Sequence, residues 1–479
     1  MANRLTAKAG GLADVSASLV AALETRGVDV HVALPNYRRM FSVHVADLIS
    51  DELRVYKSKL DSDRIHLAED RVFYYRDNVY GDYETENPRI ALAFQREVIN
   101  NIVPRVRPDL IHCNDWMTGL VPSMARRHDI PCLFTVHNIH TLKLTLACIE
   151  DHGIDAAEFW QHLYFQWPPS SYEDVRERNP VDFLTSGIFA GHYINTVSPT
   201  FLREVVAGKH CFVPPQVEYE LKCKYEAGCA GGILNAPATE FNPAEDAALD
   251  RTYGPEDHAE AKQENKLSLQ KKLGLNVDAG TPLFFWPSRL DPVQKGPQLL
   301  TEILYDLVDE YWPDGLQLVV VANGAYQQPF RDIVRMHDFY KRVAICDFDD
   351  SLSHLAYAAA DFVLMPSLFE PCGLPQMIGM IYGALPVAHD TGGLHDTIVP
   401  FDEAPDNGNG FLFKTYTSDG LHWAIDRAME FHRLPEEEKA AHRQRIMRYA
   451  LKEFSYDRCA SDYVDIYERM LERPLLPQF

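Results

Sequence analysis

Short apolar runs of four to eight residues alternate along this chain with longer stretches whose apolar positions recur every three or four residues. The runs predict strands at 28–35, 110–113, 132–136 and 193–197 in the first half. In the second half they predict strands at 283–286, 316–321, 343–346, 362–365 and 385–388. Leu12, Val15, Leu19, Val20 and Leu23 share one face at helical spacing, so a helix is predicted there, with Gly27 as its stop. The alternation of these runs with helix-period segments predicts an α/β protein with parallel sheets.

Polar side chains gather just after these strands: Asn114-Asp115, His137-Asn138, Ser198, Ser288-Arg289, Asn323-Gly324 and Glu370. In open parallel sheets the carboxyl edge is where ligands bind, so this is the expected functional edge. The segment Glu370-Pro371-Cys372-Gly373-Leu374, followed by Thr391-Gly392-Gly393, is the most informative. Two glycine turns at neighbouring strand ends would aim backbone N–H groups at one spot, suited to a phosphate or to sugar hydroxyls. Arg289 and Lys295 together could neutralise a diphosphate, although an acidic neighbour, Asp291, also allows a plain surface pair. Lys8 and Gly11 precede the first helix and could meet an anion, or form an ordinary glycine turn. His137 could be structural. Asp115 with Trp116 could hold a sugar hydroxyl and a sugar face, or cap a helix. The aromatic group Trp160, Tyr164, Phe165, Trp167 and Tyr172 could stack sugars or pack a core.

A length of 479 residues predicts two domains. The net charge of −23 argues against nucleic acid and anionic membrane as main partners. No apolar run is long enough to span a membrane and no signal peptide opens the sequence, so a cytoplasmic location is expected. The nine cysteines are dispersed without a CxxC pair, which fits a reducing compartment and predicts no metal site. A polar, proline-bearing connector is expected between Asn235 and Lys266, and an amphipathic helix at 456–471.

Taken in order, KAGGLADV (8–15), HCNDW (112–116), TVHNI (135–139), NTVSPTF (195–201), GILN (232–235), SRL with QKG (288–296), FEPCGLPQM (369–377), YGALPVAHDTGGLHDT (382–397) and GNGFLF (408–413) resemble bacterial glycogen synthases and plant starch synthases. These are glycosyltransferases of family 5 with the GT-B fold. The resemblance implies two Rossmann-like doubly wound domains facing across a cleft, an N-terminal domain over 1–240, a nucleotide-sugar domain over 241–455, and a last helix over 456–479 that crosses back. It implies retaining transfer of glucose from a sugar nucleotide, ADP-glucose in bacterial members with UDP-glucose left open, to the non-reducing end of an α-1,4-glucan, without a cofactor. By position, Glu370, His137, Arg289 and Lys295 would be catalytic. Lys8, Gly11, Cys372, Gly373, Leu374, Thr391, Gly392 and Gly393 would bind the donor. Asp115, Trp116 and Asn138 would lie on the acceptor side.

Several positions depart from the family pattern. The family opens with an apolar strand before the lysine-glycine turn, whereas Met1 stands seven residues before Lys8. Met1 is therefore expected to be an internal methionine of a longer reading frame. The step from Arg289 to Lys295 has one residue more than is usual. Ala236-Pro237-Ala238 follows GILN where a glycine and an acid are expected, and Met117, Pro375 and Leu368 replace a histidine, a threonine and an arginine. Two other readings remain: a related transferase that makes a small saccharide, and a silent glucan-binding protein of the same fold. An intact set of Glu370, Arg289, Lys295 and Lys8 opposes the second.

Overall fold

A computed structural model of the chain describes residues 11–37, 64–74, 86–404 and 406–475. The chain divides into two compact units, Met1–Ile233 with Cys459–Phe479, and Leu234–Arg458. Lys8 and any strand before it lie outside the described residues.

In the first unit, a helix spans Gly11–Thr25 and ends at Gly27, whose φ is 90°. The Gly27 N–H donates to Glu24 O and the Val28 N–H reaches back to Leu23 O at 3.1 Å, a glycine closure that satisfies the last carbonyls. Eight strands follow: β1 Val32–Pro35, β2 Ile65–Ala68, β3 Ile111–Asn114, β4 Cys132–Val136, β5 Lys143–Leu144, β6 Val181–Asp182, β7 Tyr193–Thr196 and β8 Ala230–Gly232. β1 and β2 form a parallel pair; β3-β4-β7-β8 form a four-stranded parallel sheet; β5 and β6 pair antiparallel. The expected strand at 28–35 is shorter than predicted, because pairing with β2 begins only at Val32. β4 and β7 are buried at every position, which is why they read as unbroken runs. The helix Phe183–Ala190 packs tightly on β4 at Gly187, where a Cβ would sit 2.3 Å from the Phe134 ring.

Among the described residues β1 pairs only with β2, and β3 only with β4. All residues of both strands line one cavity of about 820 Å³, closed on another side by Tyr463, Tyr467 and Leu471. Those three belong to the helix Tyr456–Leu471, which has the expected bounds. Its Tyr467 hydroxyl lies 2.8 Å from His112 Nδ1, and its Tyr463 hydroxyl accepts from Asn195 Nδ2 at 2.9 Å.

The second unit carries β9 Leu283–Trp286, β10 Gln317–Val321, β11 Val343–Cys346, β12 Phe362–Met365, β13 Leu385–His389 and β14 Phe411–Phe413. They form one parallel sheet in the order β11-β10-β9-β12-β13-β14. This is the doubly wound order in which the chain reverses direction between its first and fourth strands, here β9 and β12. The expected connector is irregular only as far as Asp257, since a helix runs over His258–Leu273. No helix among the described residues is long and apolar enough to cross a membrane.

The last helix should hold the first unit mainly by packing. Tyr463→Ala should lower the unfolding free energy by about 3–5 kcal/mol, as for other buried aromatic truncations. Tyr463→Phe, which keeps the ring and removes the hydroxyl bonded to Asn195, should cost about 1 kcal/mol. Urea unfolding followed by fluorescence measures both. Equal costs for the two variants would mean that the hydrogen bond, not the ring, holds the helix.

Candidate active site

The switch point between β9 and β12 is where Arg289–Lys295 and Ser367–Glu370 leave the sheet. After β9 the chain turns through Asp291, whose Oδ1 accepts the Val293 N–H and whose carbonyl accepts the Lys295 N–H at 2.8 Å. Gly296 has φ +73°, and a Cβ there would lie 2.1 Å from Pro366 O. Only glycine allows that approach. The Leu368 N–H then donates to Gln294 O, locking the two loops together. As a result Lys295 Nζ reaches Glu370 Oε2 at 2.5 Å, and Ser367 Oγ donates to the same oxygen at 3.1 Å. Both members of the pair are mostly out of water: the side chains are 12% and 7% exposed. Glu370 Oε1 has no hydrogen-bond partner among the described residues. Arg289 is exposed, and its guanidinium has no partner among the described residues.

The second glycine turn closes onto the first. Glu370 O accepts the Gly393 N–H at 2.9 Å, and a Cβ on Gly393 would lie 2.0 Å from Cys372 O. Gly373 has φ +75°. The buried Gln376 ties the knot through its Nε2, which donates to Cys372 O, Gly373 O and Thr397 Oγ1. Leu374 leads into the helix Pro375–Ile381, and Thr391 into the helix Gly392–Thr397. Glu370, Cys372, Gly373, Leu374, Thr391, Gly392 and Gly393 therefore share one compact corner with Lys295. His389 Nδ1 lies 2.8 Å from Ser367 O and braces it.

In the first unit, Asp115 follows β3 with φ 56° and ψ −179°, a conformation that is nearly glycine-only and costs on the order of 1–3 kcal/mol. Its carboxylate restrains the turn after β4. Oδ1 accepts the His137 N–H at 2.7 Å, and Oδ2 accepts Asn138 Nδ2 at 3.2 Å. Burial pushes the Asp115 carboxyl up to about 7, against the pull of the His137 and Asn138 N–H bonds. His137 Nε2 donates to Asn114 Oδ1 at 2.9 Å, and burial lowers the ring to about 4, so it is neutral at pH 7. A neutral ring that donates from Nε2 keeps Nδ1 as an acceptor. Burial, with the charge of His137, lowers His112 to about 3. Trp116 is buried, edge-on to His140, so its ring belongs to the core rather than to an exposed sugar platform. Asp115 precedes the short 3₁₀ turn Trp116–Thr118 without capping it by its side chain.

Gly11 opens the first helix, and Lys8 lies outside the described residues. Of the aromatic group, Trp160 packs against Phe165 and Tyr172 on the core, while Trp167 is exposed. Ser367, Gln376 and Asn114 hold the site residues in place and went unread as such in the sequence. Gln376 and Asn114 sit inside quoted motifs, so each could have been found by asking what supports the neighbouring group.

Residues 3–212 match the family described as starch synthase catalytic domain, and residues 270–447 match glycosyl transferases group 1. The glycogen synthase of Geobacillus thermodenitrificans is 32% identical over 495 residues, covering 98% of this chain and 96% of its own. That of Moorella thermoacetica is 33% identical over 501 residues, covering 98% and 95%. Among solved structures, the catalytic domain of starch synthase IV from Arabidopsis thaliana, bound to ADP and acarbose, superposes with a TM-score of 0.78 at 27% identity, covering 97% of each chain. A sucrose-phosphate synthase from Thermosynechococcus elongatus, at 16% identity and a TM-score of 0.51 over 86% of this chain and 85% of its own, shares the fold alone.

The buried Asp115 and histidines act on stability in opposite directions. A carboxyl raised to about 7 binds its proton more tightly folded than unfolded, so its contribution is lost as pH rises from about 4 to 7. Histidines lowered to about 4 and about 3 do the reverse, and their contribution is lost as pH falls below about 6.5. Asp115→Asn should therefore gain about 2 kcal/mol more than the parent chain between pH 5 and pH 7. Urea unfolding at the two pH values checks this, and equal gains would show that Asp115 titrates normally.

Proposed function

The chain belongs to the glycogen synthase and starch synthase family of glycosyltransferases and is a glucosyltransferase of glycogen synthesis; on that premise we propose that it moves glucose from ADP-glucose to the non-reducing end of an α-1,4-glucan, with retention at the anomeric carbon. Its fold is that of the GT-B enzymes, with mixed α/β units built on parallel sheets. The observation that carries the proposal is the Lys295–Glu370 pair at the switch point of a doubly wound sheet, with the exposed Arg289 on the same loop after β9. ADP as the leaving nucleotide is favoured by the ADP that accompanies the starch synthase IV structure.

The roles follow from charge and geometry. A nucleoside diphosphate is already a good leaving group, so catalysis consists of neutralising its charge, holding both sugars and excluding water. Arg289 offers a planar fork without an internal competitor, suited to two phosphate oxygens. Lys295 supplies a point charge that Glu370 keeps in place. Glu370 Oε1 is left for a hydroxyl of the transferring glucose, and its charge favours a positive anomeric carbon. The turns at Cys372-Gly373-Leu374 and Thr391-Gly392-Gly393 offer backbone to the donor. On the first unit, neutral His137 accepts a hydrogen bond from a sugar hydroxyl, Asp115 and Asn138 fix that turn, and Lys8 and Gly11 serve the donor phosphates. No step needs a metal or cofactor.

Nucleoside diphosphate release in the presence of glycogen tests this reading. ADP-glucose should give ADP in proportion to glycogen, and UDP-glucose should give markedly less. Arg289→Ala, Lys295→Ala and Glu370→Ala should each lower kcat by about 10²–10³-fold. Equal turnover of the two donors would overturn the donor assignment. Full activity in Glu370→Ala would overturn the site. Glycogen binding without turnover in the folded parent chain would leave a silent glucan-binding protein.

A further inference from the structure

At the opposite end of β12 the second unit holds a different constellation. Asp361 stands just before β12, and around it lie three nearly buried cations, Lys262, Lys266 and Arg443. Lys266 Nζ meets Asp361 Oδ2 at 2.5 Å, and Arg443 Nη2 meets Oδ1 at 2.8 Å. Lys262 pairs with no carboxylate among the described residues: its Nζ donates to Ala358 O and Tyr382 O, both carbonyls near helix ends. Lys439, also buried, pairs with the exposed Glu436. Four cations therefore face two carboxylates, only one of them buried. Burying charge without a counter-charge is costly, so the cluster is short of negative charge.

These residues line a small cavity of about 60 Å³ together with His258 and His432. That is several times the roughly 10–15 Å³ that one water needs. Three buried nitrogens of its lining residues lack hydrogen-bond partners among the described residues: His258 Nε2, His432 Nδ1 and Arg443 Nε. His258 is itself only 4% exposed, and its other nitrogen is committed to Pro255 O. His432 likewise commits Nε2 to Gly280 O. If the rings are protonated, both open nitrogens become donors.

We propose that this cavity is a binding site for a phosphate-sized oxyanion, held by His258, His432, Arg443 and Lys262 at the amino edge of the second sheet. The anion supplies the missing negative charge and gives the three orphaned nitrogens a partner. It is separate from the donor corner, because β12 is four residues long, about 13 Å, and Glu370 lies beyond its other end. Binding takes up protons on the two histidines. Burial lowers both, and around them stand Lys262, Lys266, Lys439, Arg443, Asp361, Asp257 and Glu436. Affinity therefore rises as pH falls.

The test is calorimetric titration of the full chain with sulfate, whose charge is constant between about pH 6 and about pH 8. Chloride at matched ionic strength is the control, because sulfate also stabilises proteins by exclusion. One saturable site should appear, about tenfold tighter at the lower pH. The double variant His258→Gln, His432→Gln should bind at least about tenfold more weakly and lose the pH dependence. Its unfolding curve without sulfate reports whether it is folded. Arg289→Ala should bind as the parent does. Sulfate binding that survives the double variant but is lost in Arg289→Ala belongs to the donor corner and overturns the proposal. No saturable binding at either pH overturns it too, and means that Lys262 is kept neutral instead. Displacement of sulfate by phenyl phosphate as well as by inorganic phosphate would extend the ligand to phosphate monoesters; displacement by inorganic phosphate alone would restrict it to the free anion.

Discussion

A carboxylate held almost out of water needs a cation, and Glu370 has Lys295. Much of the second unit's local architecture serves that pair. The turn after β9 carries a left-handed glycine at Gly296 because its backbone must touch Pro366. The turn after β12 carries another at Gly373, and Gly393 closes on Cys372 with no room for a side chain. Each glycine removes a side chain so that two loops can meet, and the meeting brings an ammonium to a carboxylate. A pair formed this way is pre-organised: its desolvation cost is met in folding, so it need not be met when the donor arrives.

The first unit solves a similar problem through strain. Asp115 adopts a backbone conformation that other side chains avoid. Three hydrogen bonds from the 137–138 turn repay part of that cost. In return the carboxylate fixes the backbone of His137, and Asn114 fixes its ring. The histidine is thereby left neutral with one nitrogen open. Strain and perturbed ionisation converge on the carboxyl edge of the sheet, where they can act on a ligand.

The legible parts of this chain are those where one local rule decides. β4, β9 and β12 have the expected bounds because each is a four- or five-residue run buried in a parallel sheet, and β11 keeps them as an apolar run at the sheet's edge. Gly27 was legible because a helix-ending glycine has its own signature. β2, Ile65–Ala68, was not: its histidine interrupts the run. β8, Ala230–Gly232, is mostly glycine and depends on β7 for its conformation. The helix His258–Leu273 was hidden because buried lysines, asparagine and glutamine occupy its inner face where apolar residues are expected. At the site, the charged and glycine residues were readable from motif and strand end. Trp116 was readable only in type, since burial is decided by tertiary packing. Ser367 acts through a bond to the Glu370 carboxylate and Gln376 through bonds to main chain, and no spacing reveals either.

The two ends of β12 make the clearest contrast between structure and function. Asp361 at its start is saturated: it binds Lys266, Arg443 and the Leu283 N–H, and although burial alone would raise its pKa, those cations hold it well below the ordinary carboxylate range. Its bonds join two helices and two strands, so it is a structural group with nothing left to offer. Glu370 beyond the other end spends one oxygen on Lys295 and Ser367 and keeps the other open. A carboxylate that is paired enough to stay charged, yet not fully satisfied, can still bind a ligand. The same reasoning separates Lys266, which is matched, from Lys262, which is buried against carbonyls alone. Incomplete satisfaction, more than charge or burial by itself, is what marks the groups in this molecule that have work outside the fold.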